Sequence, residues 1–263
     1  MVVISREVQR TGLMAGCLAL IIGVAPATAR AAPVTVRFAE TVTHGFLVLR
    51  AEGGDTLAHG ELNQVVGGDR VDSHLVFRFK DGSVYDETVT FSQRRVFRLL
   101  SYRLVQRGPT FPEASEVAFS RNTGHYTARL GNDKPAEGRL TVPEDAHNGM
   151  TGVLLRNLPP GTSANGRLVA FTPKPQMLDT TLREDGEDRY FFGPQSGTAT
   201  RYLVKLEVPG VKGVVADILG KSPPDNRYWF TKTATRGFLK FEGAMFLKGP
   251  TWRIELGAPR WTP

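Results

Sequence analysis

Cysteine is all but missing from this 263-residue chain, which has a single one, Cys17. Beyond it the chain can form no disulfide, no thiolate metal site and no cysteine nucleophile. Long apolar runs are missing as well. The stretch Leu13–Ala25 is thirteen residues long, short of the roughly 20 that a membrane-crossing helix needs. No low-complexity tract or linker interrupts the sequence. A content of 41% hydrophobic and 22% charged residues excludes a disordered tail and a collagen-like repeat.

Motifs of known chemistry are equally scarce. Gly220-Lys221-Ser222 ends like a phosphate-binding loop, but the first glycine of that motif would fall at Val215. Pro223-Pro224 also forbid the helix that would hold the phosphate. Gly161-Thr162-Ser163-Ala164-Asn165-Gly166 places its second glycine one residue late for a nucleophile elbow and reads as a turn. His44, His59 and His74 recur every fifteen residues. No H-x-H or H-E-x-x-H accompanies them, so they are expected as surface or hydrogen-bonded histidines rather than metal ligands. His125 and His147 have no recognisable partner. Glu184-Asp185 and Glu187-Asp188 flank Gly186 in what reads as a solvated turn. No catalytic residue, metal or cofactor is expected, and the chain does not read as an enzyme.

What is present begins with an address. Arg6 and Arg10, the apolar run Leu13–Ala25 and the small residues of Pro26-Ala27-Thr28-Ala29-Arg30-Ala31 follow one another in the order of a secretory signal peptide. Residues 1–31 are therefore expected to be a leader, with cleavage after Ala29 or Ala31. Met14-Ala15-Gly16-Cys17 has the look of a lipobox, but the apolar run continues past the cysteine, which favours an ordinary signal peptide. The remainder, 32–263, is expected to be a single antiparallel β domain in the periplasm or outside the cell.

Alternation by twos dominates that remainder. Leu75, Phe77 and Phe79 share one parity, and Tyr85, Glu87, Val89 and Phe91 share another, each the mark of a half-buried strand. Asp81-Gly82 between them is a type I′ hairpin signal. Gly53-Gly54-Asp55, Gly67-Gly68-Asp69 and Asn122-Thr123-Gly124 punctuate similar runs. Further strands are expected at 95–106, 116–120, 124–130, 166–172, 199–208, 227–233, 236–242 and 250–256. One helix is expected from about 143 to 158, with Pro143 at its start and Glu144 and Asp145 in its first turn. A short helical turn is allowed at Val214–Leu219. The fold class is mainly β: a curved antiparallel sheet or half-open barrel with one short helix.

Charge and aromatics supply the functional cues. The chain carries a formal charge of +7, and residues 94–107 hold Arg94, Arg95, Arg98, Arg103 and Arg107 with no acid. An anionic membrane surface is the expected contact for Arg94, Arg95 and Arg98, and nucleic acid is not expected in an exported protein. Phe77, Phe79, Tyr228, Trp229, Phe241 and Trp252 fall in two strand-rich regions. Core packing explains such positions, and so does the lining of a curved sheet that encloses an apolar ligand. Arg107-Gly108-Pro109-Thr110-Phe111 also echoes Lys248-Gly249-Pro250-Thr251-Trp252, as a duplicated half-sheet would.

The segment from Gly213 to Leu256 carries a family resemblance, in Gly220-Lys221-Ser222-Pro223-Pro224, Tyr228-Trp229-Phe230, Phe241-Glu242-Gly243 and Gly249-Pro250-Thr251-Trp252-Arg253-Ile254-Glu255. It resembles the DUF3108-like periplasmic envelope proteins, with a lipoprotein-carrier-like half-barrel. That resemblance implies an acyl chain held between a curved sheet and covering helices, and it transfers no catalytic residue. Three functions remain, in order: binding of a lipid or other apolar envelope molecule, envelope interaction or assembly without a small ligand, and a hydrolase built from scattered His and Asp. Exported material is expected to begin at Arg30 or Ala32. N-terminal sequencing checks this, and an intact Met1 or carbonate-resistant membrane integration would overturn it.

Overall fold

Strand parity and turn chemistry together build a sheet that wraps around its own apolar face. The computed structural model describes residues 32–171, 174–192, 195–207, 225–246 and 249–257. The leader 1–31, the turn expected at Val214–Leu219 and Gly220-Lys221-Ser222 lie outside the described residues. In chain order the strands are β1 (Thr43–Ala51), β2 (Thr56–Gly67), β3 (Arg70–Phe79), β4 (Val84–Gln93), β5 (Phe97–Arg107), β6 (Ser115–Ser120), β7 (His125–Leu130), β8 (Ala136–Arg139) and β9 (Ala146–His147). Helix α1 (Thr151–Arg156) follows. Then come β10 (Ser163–Ala170), β11 (Gln176–Phe192), β12 (Gln195–Glu207), β13 (Asn226–Thr231), β14 (Phe238–Gly243) and β15 (Trp252–Leu256).

Two meanders meet through their outermost members. The order β8-β7-β6-β5-β4-β3-β2-β1-β15-β14-β13-β12-β11-β10-β9 makes one fifteen-stranded sheet, unclosed between β8 and β9. The seam is β1 against β15, with Leu49 opposite Ile254. Curvature brings the two halves face to face. Val89, Phe91, Leu99, Tyr102 and Val117 from one half share an apolar cluster with Val169, Leu182, Val204 and Phe230 from the other, with Leu154 and Leu155 of α1 between them. A second cluster, at the seam, joins Leu49, Phe77, Phe79, Tyr85 and Phe111 to Phe241, Trp252 and Ile254. Each buried Leu or Phe contributes about 1.5–3 kcal/mol. The fold class expected from the sequence is therefore the one found, a curved, half-open antiparallel sheet with one short helix.

Several local expectations are corrected. The β3–β4 turn is not type I′: Gly82 has a φ of 85°, and Asp81 is not among the residues with positive φ. Gly82 N donates to Phe79 O and Phe79 N to Ser83 O, which is a type I turn closed by a glycine bulge. Asp81 favours it by accepting from Ser83 N at 2.9 Å. The helix expected over 143–158 is only Thr151–Arg156. Glu144 is instead drawn to Arg98 at 2.9 Å, and Asp145 takes the guanidinium fork of Arg167. Ala146–His147 then adds to β10 in parallel, an exception among the pairings of a sheet otherwise antiparallel.

Glu184-Asp185-Gly186-Glu187-Asp188 is not a turn. It lies inside the seventeen-residue β11, with the register shifting at Gly186. Its acids face bases elsewhere in the sheet: Asp185 and Asp188 pair with Arg201 of β12, and Glu187 pairs with Lys232 in the turn after β13. The supposed turn 161–166 is likewise mostly strand, since β10 starts at Ser163. Phe111 and Trp252 of the sequence echo do meet, with rings 6.2 Å apart. Phe111 comes from the β5–β6 connection and Trp252 opens β15, so the echo is a contact and not a repeated half-sheet.

One close approach offers a test. A Cβ at Gly60 would lie 2.4 Å from the Phe77 ring and 2.7 Å from the Val76 carbonyl oxygen, while Gly67 faces open space. Gly60→Ala is expected to lower unfolding stability by about 1–3 kcal/mol through overpacking. Gly67→Ala is expected to change little, as denaturant titration of both variants will report.

Candidate functional site

Inward parity on β4 places Tyr85, Glu87, Val89 and Phe91 on the concave face, all buried. Three of these fit an apolar interior and one does not. Glu87 survives there because two phenols turn to it. Tyr85 Oη donates to its Oε1 at 3.0 Å, and Tyr102 Oη to the same oxygen at 2.8 Å. Burial pushes the Glu87 carboxyl above its ordinary range, against the two hydrogen bonds, which favour its charged form. Burial first, and the nearby Glu87 second, push the Tyr85 and Tyr102 phenols well up. Tyr228, across the interior on β13, is raised by the same two causes in the same order.

A short helical ceiling covers this cluster. Gly149 has a φ of 66°, and a Cβ there would come within 3.3 Å of Glu87, Val89 and Tyr102. A Cβ at Gly152 would meet Tyr228 at 3.6 Å and Phe230 at 3.8 Å. The start of α1 therefore lies against both halves of the sheet, with glycine where each half comes nearest. On the inward face of β5, Gln106 stands opposite Tyr85. It is 4% exposed, and its Nε2 is buried without a hydrogen-bond partner. Leu104, between Tyr102 and Gln106 in parity, packs against both apolar clusters.

The aromatic residues singled out in the sequence divide between two faces. Phe77, Phe79, Phe241 and Trp252 belong to the seam cluster. Phe79 lies 5.5 Å from Trp252 and 5.4 Å from Phe111, and Phe246 lies 5.5 Å from Trp252. Tyr228 stands beside that group, 4.8 Å from Phe241. Trp229 is on the outer face. Its Nε1 donates to Asp188 at 2.7 Å, and the Lys240 ammonium covers its ring at 3.8 Å. The indole hydrogen bond and the neighbouring Arg201 hold the Asp188 carboxyl below the usual range. Trp252 packs as a core residue, so Trp252→Ala is expected to cost about 3–5 kcal/mol, read from chemical denaturation.

The histidines do not converge. His74 reaches Asp86 at 3.1 Å and His44 approaches Glu61 at 3.8 Å, both on the outer face, while His59 sits between Val48 and Arg78 in register. Among the described residues no group of three or more His, Cys, Asp or Glu is placed to hold a metal. The basic stripe is partly spoken for. Arg98 pairs with Glu144, Arg103 lies 3.5 Å from Asp86 and Arg94 lies 3.8 Å from Asp69. Arg95 is exposed at the β4–β5 turn.

His147, without a partner in the sequence, has two in the structure. Its Nε2 lies 3.1 Å from Thr180 Oγ1 and its Nδ1 3.2 Å from Thr151 Oγ1. A narrow cleft beside it is lined by Pro33, Val34, Phe97, Asn165 and Leu182. Residues Glu87, Tyr85, Tyr102, Gln106 and His147 were thus not picked out as a site by sequence motif. The available signal was parity, since Glu87 is a lone carboxylate in an apolar inward register.

No protein-family model matches the chain, and no curated protein matches it. Among solved structures it is similar to a crystal structure of a β-barrel-like protein, a domain of unknown function DUF1849, from Brucella abortus. The identity is 12% and the TM-score 0.47, over 84% of this chain and 98% of that one. A likeness of that degree says nothing about what either protein binds. The resemblance to DUF3108-like proteins receives no support from these comparisons.

Burial lowers the pKa of His147 to about 4, partly offset by Asp145. An unfolded chain would take up this proton near pH 6.5. Between those values the unfolded state binds a proton that the folded state refuses. The stability tied to a neutral His147 is therefore complete above about pH 6.5 and is lost as pH falls towards 4, roughly 3 kcal/mol in all. Melting curves at stepped pH are expected to show this loss in the parent and a flatter profile over that window in His147→Gln.

Proposed function

We propose that this is a non-catalytic protein of the cell envelope that holds a lipid or another apolar molecule within its curved sheet. One observation carries the reading. The interior is apolar on most sides, yet it keeps a polar group made of Glu87, Tyr85 and Tyr102, and in register opposite Tyr85 stands the buried Gln106, whose Nε2 is unpartnered. Ligand sites for apolar molecules have this composition: hydrophobic walls with a few placed polar groups that fix orientation. Phe77, Phe241 and Tyr228 adjoin this group and are proposed as walls for an apolar tail, with Phe79 and Trp252 closing the seam end. Trp229, being outside, has no part in it.

Export through the leader 1–31 and residence in the periplasm or outside the cell belong to the same proposal. Among the described residues no helix is long and apolar enough to cross a membrane. The exposed Arg94 and Arg95 at the β4–β5 turn, with Arg98 nearby, supply the proposed contact with anionic lipid. Assembly through sheet edges is the weaker reading. The end strands β8 and β9 are four and two residues long, and such short edges discourage added strands.

The test is native mass spectrometry of the protein purified from the exporting compartment, with displacement of a fluorescent fatty acid as a second readout. A bound species that organic solvent removes is expected. Leu104→Trp, which puts a bulky ring where the two clusters meet, is expected to weaken probe binding at least tenfold while the β-sheet circular dichroism persists. A ligand-free parent that binds no probe would end the proposal.

A further inference from the structure

We infer that the site recognises the neutral carbonyl group of an acyl ester or amide through the side-chain amide of Gln106, an inference that rests on the binding function proposed above. Gln106 is deeply buried, and its Nε2 donates to nothing. Buried donors are rarely left without a partner in folded proteins, so such a group points to something that fills its place. The chemistry of that partner follows from the neighbours. The hydroxyl protons of Tyr85 and Tyr102 are both committed to Glu87 Oε1. What remains unmatched is an N–H, and it requires an acceptor.

The acceptor must also be uncharged. The charged partners of this part of the sheet, such as Arg78, Asp86 and Arg103, lie on the opposite parity of β3, β4 and β5 and face outward. No cation among the described residues is paired to Glu87, Tyr85 or Gln106. A carboxylate placed here would sit unpaired in an apolar interior beside Glu87, which is costly to bury. An ester or amide carbonyl accepts the hydrogen bond without that cost. Its chain then lies along Leu104, two residues from Gln106 on β5, and along Phe77 and Tyr228, which belong to or pack against the seam cluster.

Three probes with one sixteen-carbon chain separate the possibilities: methyl palmitate, palmitate at pH 8 and hexadecane, each titrated against a fluorescent acyl probe bound to the mature protein. Methyl palmitate is expected to bind about three- to tenfold more tightly than hexadecane, the range of one net hydrogen bond, and more tightly than palmitate. Gln106→Leu is expected to abolish the preference for methyl palmitate over hexadecane. Gln106→Met, which keeps the length of the side chain, serves if the leucine variant does not fold. Equal binding of ester and alkane by the parent means that water alone meets the amide. That outcome overturns the inference and leaves the binding function standing, as would tighter binding of palmitate than of its ester. A parent that binds none of the three removes the binding function, and this inference with it.

Discussion

Everything in the interior depends on one pairing, β1 with β15. Arg50 and Glu255, 205 residues apart in sequence, meet across it at 3.2 Å, beside Leu49 and Ile254. Each meander can form its own turns locally, but neither can bury its concave face alone. Strands β1–β8 would expose Phe77, Phe91 and Leu99, and the second meander would expose Leu182, Phe230 and Phe241. Only the seam turns two one-sided sheets into a single body with an inside. Such a contact carries a high loop-closure cost before it yields any burial. Every other pairing in the described sheet joins strands consecutive in the chain, so the seam is the one long-range closure among them.

The ceiling over Glu87 depends on a second set of distant contacts. Six residues of helix are far too few to be stable alone, and α1 has no side-chain cap at its start. Its far end is held instead. Asn157 Oδ1 accepts from the Arg37 and Phe38 amides, and Arg236 donates to the Arg156 and Leu158 carbonyls. The Arg236 bonds supply partners for carbonyls that a helix terminus leaves open, and the Asn157 bonds tie that end to the segment at 37–38. The segment at 34–40 runs on across Val96 and Phe97 and buries Glu40 against Arg156, Gln64 and Gln93. A charge so buried is tolerable because it is paired and hydrogen-bonded on both oxygens. The residues that would directly follow a cleaved leader thus fasten the helix that roofs the site.

Parity made the strands legible, and it sorted Phe77 with Phe79 and set Trp229 against Tyr228 and Phe230 as the structure has them. Less legible was anything decided by a distant partner. Pro143, Glu144 and Asp145 have helix-start chemistry, but Arg98 and Arg167 take the two acids, and Gly149 in its left-handed conformation interrupts the path. The acid-rich 184–188 looked solvated because its bases, Arg201 and Lys232, lie on other strands or turns. The candidate site shows the same limit. Glu87 was visible as a misfit in an apolar register, but no spacing rule could bring Tyr102 or Gln106 to it, since both come from the next strand and only pairing sets their register.

The structure also keeps two kinds of polar chemistry apart. Outside, ionised pairs such as Asp188 with Arg201 are partly hydrated, and their worth is modest and salt-sensitive. Inside, burial works against the charged forms of Glu87 and His147, and the two respond to acid with opposite sign. Glu87, raised by burial, favours the folded state when protonated. Its contribution is present below its unfolded value and is lost as pH rises through the raised folded one. His147, lowered by burial to about 4, favours the folded state when neutral, and that contribution is lost as pH falls. Where their ranges overlap, the two therefore act against each other. An interior in which burial disfavours charge at both positions favours an uncharged polar guest over an ion.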